Sequence, residues 1–192
     1  MILIQYAIIF FIISEVLFFF SFFWSYFWER FIFNLKRGIY WPNKGIYPFY
    51  PYGVPFLNSI LLLRSGGSVT WSHIIIYEKN HNSIINSINL TLIFGLSFTI
   101  LQTYEYFQRT FTIEDSTYGR IFFLITGFHG IHVIIGSLIL ISVKIRINKG
   151  IININHHVNI ELSIWYWHFV DIVWLFLYIW VYWWIWDNSI NI

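Results

Sequence analysis

The 192-residue chain contains no cysteine, one methionine and only 10% charged residues. Without cysteine there are no disulfides and no thiolate metal sites, and cysteine usage says nothing about the redox compartment. The shortage of charge excludes more. Soluble domains carry about a quarter charged residues, whereas here 58% of residues are hydrophobic and 23% aromatic, which points to a polytopic membrane protein. Eleven Lys and Arg against nine Asp and Glu leave a formal charge of +2, too small and too scattered to indicate nucleic acid or an anionic-surface binder. The four prolines all fall between residues 42 and 55, so helix breakers are missing from the long apolar runs. The apolar N-terminal stretch has no basic flank and no small-residue cleavage site, which argues against a removable signal peptide. The wealth of Ile, Phe, Asn and Tyr is what an A+T-rich coding bias produces, compatible with an organellar gene.

Five stretches are long enough to cross a hydrocarbon layer of about 30 Å at about 1.5 Å per residue: roughly 2–27, 56–77, 88–107, 119–143 and 162–186. The sequence therefore predicts an all-α fold, a polytopic membrane helix bundle with five transmembrane helices, in one domain over 1–192 and with its ends on opposite sides. Residues 28–55 read as a long polar connection whose prolines, set among aromatics, favour a stiff segment lying on the membrane interface. Glu78 to Asn86 reads as a short polar turn, 108–117 as a loop, and the stretch with Lys144, Arg146, Lys149, His156 and His157 as a polar connection. The second span is the least hydrophobic; Gly66 and Gly67 suit close helix packing inside a bundle, and Arg64 either pairs with an intramembrane carboxylate or snorkels to the interface. Charge asymmetry would place the proline loop on the inner side.

Polar groups inside the spans carry the chemistry. Glu15 lies near the middle of the first span, and its neighbours three and four positions away are Phe11, Ile12, Phe18 and Phe19. No group on its own helix face can pair with it, so a partner comes from another helix, lipid or water, or the carboxyl is protonated. His129 and His132 are three apart on the fourth span, His168 and Asp171 three apart on the fifth, and Glu105 ends the third. Facing pairs of this kind can hold a metal or haem, but they can equally hydrogen-bond across helices in the absence of water. We read His129, His132, Asp171 and Glu105 as such a structural polar network and expect no metal. The chain has no nucleophile with a matching base, no phosphate loop and no paired carboxylates; nothing in it reads as an independent active site. The fifth span holds Trp165, Trp167, Trp174, Trp180, Trp183, Trp184 and Trp186, bulk for packing and for the membrane interface.

The string WYWHFVDIVWLFLY over 165–178 and the stretch GFHGIHVIIGS over 127–137 resemble subunit III of cytochrome c oxidase in its mitochondrial form. Further similarity lies in Ser14-Glu15, Trp41-Pro42, Val54 to Asn58, Val69 to Trp71 with His73, Gln102 with Glu105-Tyr106, and Phe111 to Ile113. The resemblance implies a non-redox subunit of complex IV in the mitochondrial inner membrane, free of haem and copper itself and packed against the catalytic subunit I, where haem and copper reside. It implies bound phospholipid in a cleft between helices, with Arg146, His168 and Glu161 as candidate lipid contacts, and it makes Glu15 a candidate for supporting proton uptake; no catalytic residue and no metal ligand is implied. This chain starts where the third of the family's seven helices would start, so the resemblance implies either a separate chain supplying two helices or a five-helix form. Ile74 replaces a histidine often present after His73, Arg64 stands where a small residue is usual, and 185–192 is an addition. The rival reading is an independent transporter or proton channel, which predicts internal repeats and helices broken at the midplane.

Overall fold

The computed structural model describes residues 2–37, 46, 48–78, 81–150 and 158–186. It forms helices α1 (Ile2–Arg37), α2 (Val54–Glu78), α3 (His81–Phe107), α4 (Thr117–Asn148) and α5 (Val158–Leu177), the last continuing through a π-helical segment, Tyr178–Trp183. Among the described residues, α1, α3, α4 and the run Val158–Trp186 are long and apolar enough to cross a membrane. α2 falls short in hydropathy rather than length, because Asn58, Ser59, Arg64, Ser65, Ser68, Ser72 and His73 interrupt it.

Two expected connections are partly helical. α1 runs ten residues past position 27, to Arg37, and α2 already begins at Val54, so both ends of the expected 28–55 connection are helix. Likewise α3 starts at His81 inside the expected polar turn. Hydropathy marks what lies in hydrocarbon, whereas helix ends are set by caps and breakers. α4 shows this at both ends. The Ser116 hydroxyl caps its start by accepting the Gly119 N–H at 2.9 Å, and Gly150, at φ +67°, takes the left-handed conformation just beyond its end.

α2 and α3 form an antiparallel hairpin zipped by small hydroxyls: Ser68 bonds Thr91 at 2.7 Å, Ser72 bonds Ser87 at 2.6 Å, and the Ser87 hydroxyl donates to the Ser68 carbonyl. Between membrane helices, where lipid is as apolar as leucine, close approach and interhelical hydrogen bonds do the work that hydrophobic burial does in water. α4 packs on α3 and α5, and α5 packs on α2. α1 lies outermost against α4 and α5, with 11% of its most apolar window buried. The described part of the proline segment folds over the ends of the bundle: Phe49 meets Phe111, Phe122 and Tyr182, the Tyr178 hydroxyl donates to the Pro51 carbonyl, and the Trp183 indole donates to the Tyr52 hydroxyl. Trp41, Pro42, Gly45, His156 and His157 lie outside the described residues.

The α3–α4 loop holds itself in shape. The Thr112 N–H donates to the Asp115 carboxylate, which pulls this exposed carboxyl below its ordinary range. A depressed folded value means that the tether is fully present above the unfolded carboxylate range of about 3.9 and is lost as pH falls through the lower folded value. Amide exchange of Thr112 should therefore stay protected down through mildly acidic pH and lose protection only below it. Asp115→Asn should remove that acid dependence; an unchanged profile in the variant would assign it to another group.

Candidate functional site

Glu15 on α1 meets His132 on α4: Nε2 lies 2.8 Å from Oε2, and the other ring nitrogen, Nδ1, lies 2.7 Å from the Phe128 carbonyl oxygen. A carbonyl only accepts, so Nδ1 must carry the hydrogen and donate. Two protonation states then satisfy the contact to Glu15. Either the carboxyl keeps its proton and donates to Nε2, or the proton sits on Nε2 and a carboxylate accepts from an imidazolium. One proton is shared, and the pair is neutral overall in both states, which suits a low-dielectric setting where an unpaired ion is costly. The rings of Phe18, Phe19 and Phe169 stand around the imidazole, and the side chains of Glu15 and His132 are 22% and 10% exposed. Every polar atom of the imidazole is used.

Beside this pair, α1 and α5 run parallel and leave between them a groove of about 650 Å³, lined by apolar side chains such as Ile12, Val16, Phe19, Phe169 and Ile172, with His168 at its edge. Along the far end of the groove, which reaches Phe27 and Trp180, the two helices are joined: the Tyr26 hydroxyl donates to the Trp180 carbonyl at 3.0 Å, and one turn on the Arg30 guanidinium lies over the Trp184 ring at 3.8 Å.

A second polar strip joins α2 and α5. His168 Nε2 is 3.2 Å from the Thr70 hydroxyl, His73 Nε2 is 3.9 Å from Glu161 Oε1, and Asp171 is buried against α2. Gly66 makes room for it, because a Cβ there would stand 2.5 Å from Asp171 Oδ2. Gly67 faces open space, so only one of the two glycines is needed for contact within this chain. Arg64, two positions before Gly66, points away from Asp171 and is exposed. Arg146 is exposed in the last turn of α4, where its charge complements the helix dipole.

The two facing pairs that the spacing suggested do not come together. His132 turns to α1, His129 is buried between Phe98 and Trp174, and Asp171 with His168 turns to α2. Glu105 is buried at the end of α3. Among the described residues no group of three or more His, Cys, Asp or Glu side chains could hold a metal ion. Sequence reasoning missed the hydroxyl zipper, although Ser68 with Ser72 and Ser87 with Thr91 each show the four-residue spacing that would have revealed it. Asn58 and Tyr182 are visible in the sequence as polar groups within spans, but nothing there gives them a role.

A family model described as cytochrome c oxidase subunit III matches residues 1–186. Cytochrome c oxidase subunit 3 of Rhipicephalus sanguineus is 49% identical over 178 residues, covering 93% of this chain and 69% of that protein. The subunits of Loxodonta africana and Drosophila melanogaster are 47% and 48% identical over 180 residues, covering 94% of this chain and 69% of each relative. Identity at that level over more than nine-tenths of this chain, with a family model matched from residue 1 to 186 and membrane-crossing helices to match, leaves one conclusion: the chain belongs to the cytochrome c oxidase subunit III family.

Proposed function

We propose that the chain acts as a non-redox core subunit of complex IV in the mitochondrial inner membrane, where it stabilises the catalytic subunit, holds phospholipid and supports proton uptake during oxygen reduction. Haem and copper belong to the partner subunits in this reading, and the protein's own contribution is made by side chains and lipid. The observation that carries it is the Glu15–His132 contact: a carboxyl and an imidazole sharing one proton between two membrane helices can take up or pass on a proton without leaving a net charge in the pair's resting states. The groove between α1 and α5 suits acyl chains, with Arg146, His168 and Glu161 as candidate polar contacts for lipid. The largely uncovered surface of α1 is assigned to neighbouring helices and subunits of the complex. An independent transporter finds no support in the helix interiors, where no proline stands past the first turn of α2 among the described residues.

Glu15→Gln tests the protonic part of this reading. The amide keeps a hydrogen bond to His132 but cannot exchange a proton, so an assembled oxidase carrying it should show slower proton uptake or faster inactivation during turnover, with haem content unchanged. Equal kinetics and equal lifetime in a fully assembled complex would leave Glu15 a packing role only. Purification in gentle detergent, with identification of companion chains and bound lipid, tests the rest; recovery of the chain without haem-copper subunits would count against it.

A further inference from the structure

We propose that helices α2 to α5 enclose an internal water-binding site, in which ordered waters bridge the Glu105 carboxyl to Asn58, His129 and Tyr182. Each of the four side chains comes from a different helix. Each is at most 2% exposed, and both polar atoms of Asn58, both carboxyl oxygens of Glu105, both ring nitrogens of His129 and the Tyr182 hydroxyl lack a hydrogen-bond partner within the protein. Buried polar groups are almost always paired, with protein or with water, so orphans gathered in one place point to a small polar ligand that supplies both donors and acceptors.

Two of the four groups, His129 and Tyr182, stand against Trp174, and the other two are placed from the helix register. The Trp174 ring centroid lies 5.3 Å from that of His129 and 5.8 Å from that of Tyr182, and its indole N–H donates to Ser59, the residue after Asn58, at 3.0 Å. The Ser72–Ser87 and Ser68–Thr91 bonds set the α2–α3 register, four residues forward on one helix for four back on the other; carried on, it places Asn58 level with Leu101, about one turn from Glu105. On α4, the Gln102 amide donates to the Thr126 carbonyl, and the Tyr106 hydroxyl bonds the Thr126 hydroxyl, which brings Glu105 beside the turn that carries His129. Tyr182 faces Glu105. It stands eight positions after Trp174, which in a regular helix would turn it about 80° away; the wider π turn over Tyr178–Trp183 reduces that rotation and keeps the hydroxyl on the same side.

Rearrangement within the protein cannot satisfy the cluster alone. A direct Tyr182-to-Glu105 bond uses one donor and one acceptor and leaves the Asn58 amide and both His129 nitrogens as they are. Gln102 and Tyr106, the nearest alternatives, are already bonded to Thr126. A water needs two to four polar partners, and it can donate and accept at once, which matches a set holding amide donors, carboxyl oxygens, an imidazole and a phenol. This site stands apart from the Glu15–His132 pair and does not depend on any protonic role for that pair.

The test is a high-resolution density map of the chain in its native membrane assembly, with infrared spectra recorded in H₂O and D₂O. The expected map shows at least one water within hydrogen-bonding distance of two or more of Asn58, Glu105, His129 and Tyr182. Glu105→Gln should keep that density and Glu105→Leu should lose it. The infrared band of the Glu105 carboxyl, assigned by its loss in Glu105→Gln, should shift in D₂O and shift again in Tyr182→Phe, a variant that removes one hydroxyl and leaves the packing. A map that resolves waters elsewhere in the membrane core but none here overturns the proposal, as does a Glu105 band indifferent to Tyr182→Phe.

Discussion

Breaking the Glu15–His132 contact from the imidazole side is expected to destabilise the bundle by about 1–3 kcal/mol, the usual cost of leaving a buried polar partner unsatisfied. His132→Leu roughly keeps the size of the side chain but leaves Glu15 beside Phe18 and Phe19 of its own helix without the imidazole that shares its proton. The Phe128 carbonyl loses its side-chain donor at the same time and keeps only its helical one. Glu15→Leu alone should cost less, because His132 then still donates to Phe128. A double replacement should recover part of the loss, since no polar group is left stranded, and a coupling of about 0.5–3 kcal/mol is typical of residues in direct contact. α1 is held by α4 and α5 along one side only, so the loss should appear first as release of α1. Unfolding in mixed micelles, followed by a reporter on α1 and another on α3, reads both quantities. Strictly additive single and double variants would mean that the pair adds no stability.

That a partner for Glu15 had to come from another helix was legible in the sequence, because positions three and four away on α1 are all apolar. Which partner it would be was not. His129 and His132 are three apart on α4, about 60° around the helix, and either could have been turned toward α1. Packing decides between them: the α3 and α5 aromatics Phe98 and Trp174 take His129 into the core, which leaves His132 for the α1 side. The same holds for His168 and Asp171, whose shared stripe was readable while its target, the small-residue face of α2 at Gly66 and Thr70, was not. The count and order of helices followed from apolar runs, the quantity a membrane selects for. Helix ends did not follow from it, because Ser116 and Gly150 act through backbone hydrogen bonds and conformation that hydropathy does not register. Belonging to the family was legible because long strings in α4 and α5 are similar, and those strings lie in the two membrane-crossing helices with the largest buried share among the described residues.

The core those helices build has one side chain at its centre, and its removal should have the largest effect in the protein. Trp167 on α5 is fully buried. Its ring edge approaches Gly95 of α3, where a Cβ would stand 2.7 Å from Cη2; its opposite edge approaches Gly136 of α4, where a Cβ would stand 3.0 Å from Cε3; and its N–H donates to the Ser65 hydroxyl of α2 at 2.9 Å. One indole therefore touches three other helices, two through glycines that exist to admit it. Trp167→Ala should cost about 3–5 kcal/mol, the range for deleting a large aromatic from a packed core. Trp167→Phe should cost less, losing the Ser65 bond and part of the ring; Ser65 keeps its own bond to the Leu62 carbonyl. Gly95→Val overfills the same space from the other side, and because a fused ring cannot fold out of the way the cost should reach or exceed the about 1–3 kcal/mol usual for overpacking. Combining Gly95→Val with Trp167→Phe should then be less damaging than the two losses added together, since the smaller ring frees volume where the valine enters. Unfolding midpoints of the four variants against the parent measure this directly. A double variant as poor as the sum would mean that α3 and α5 do not meet through Trp167, and the close packing of the bundle around this indole would have to be rebuilt.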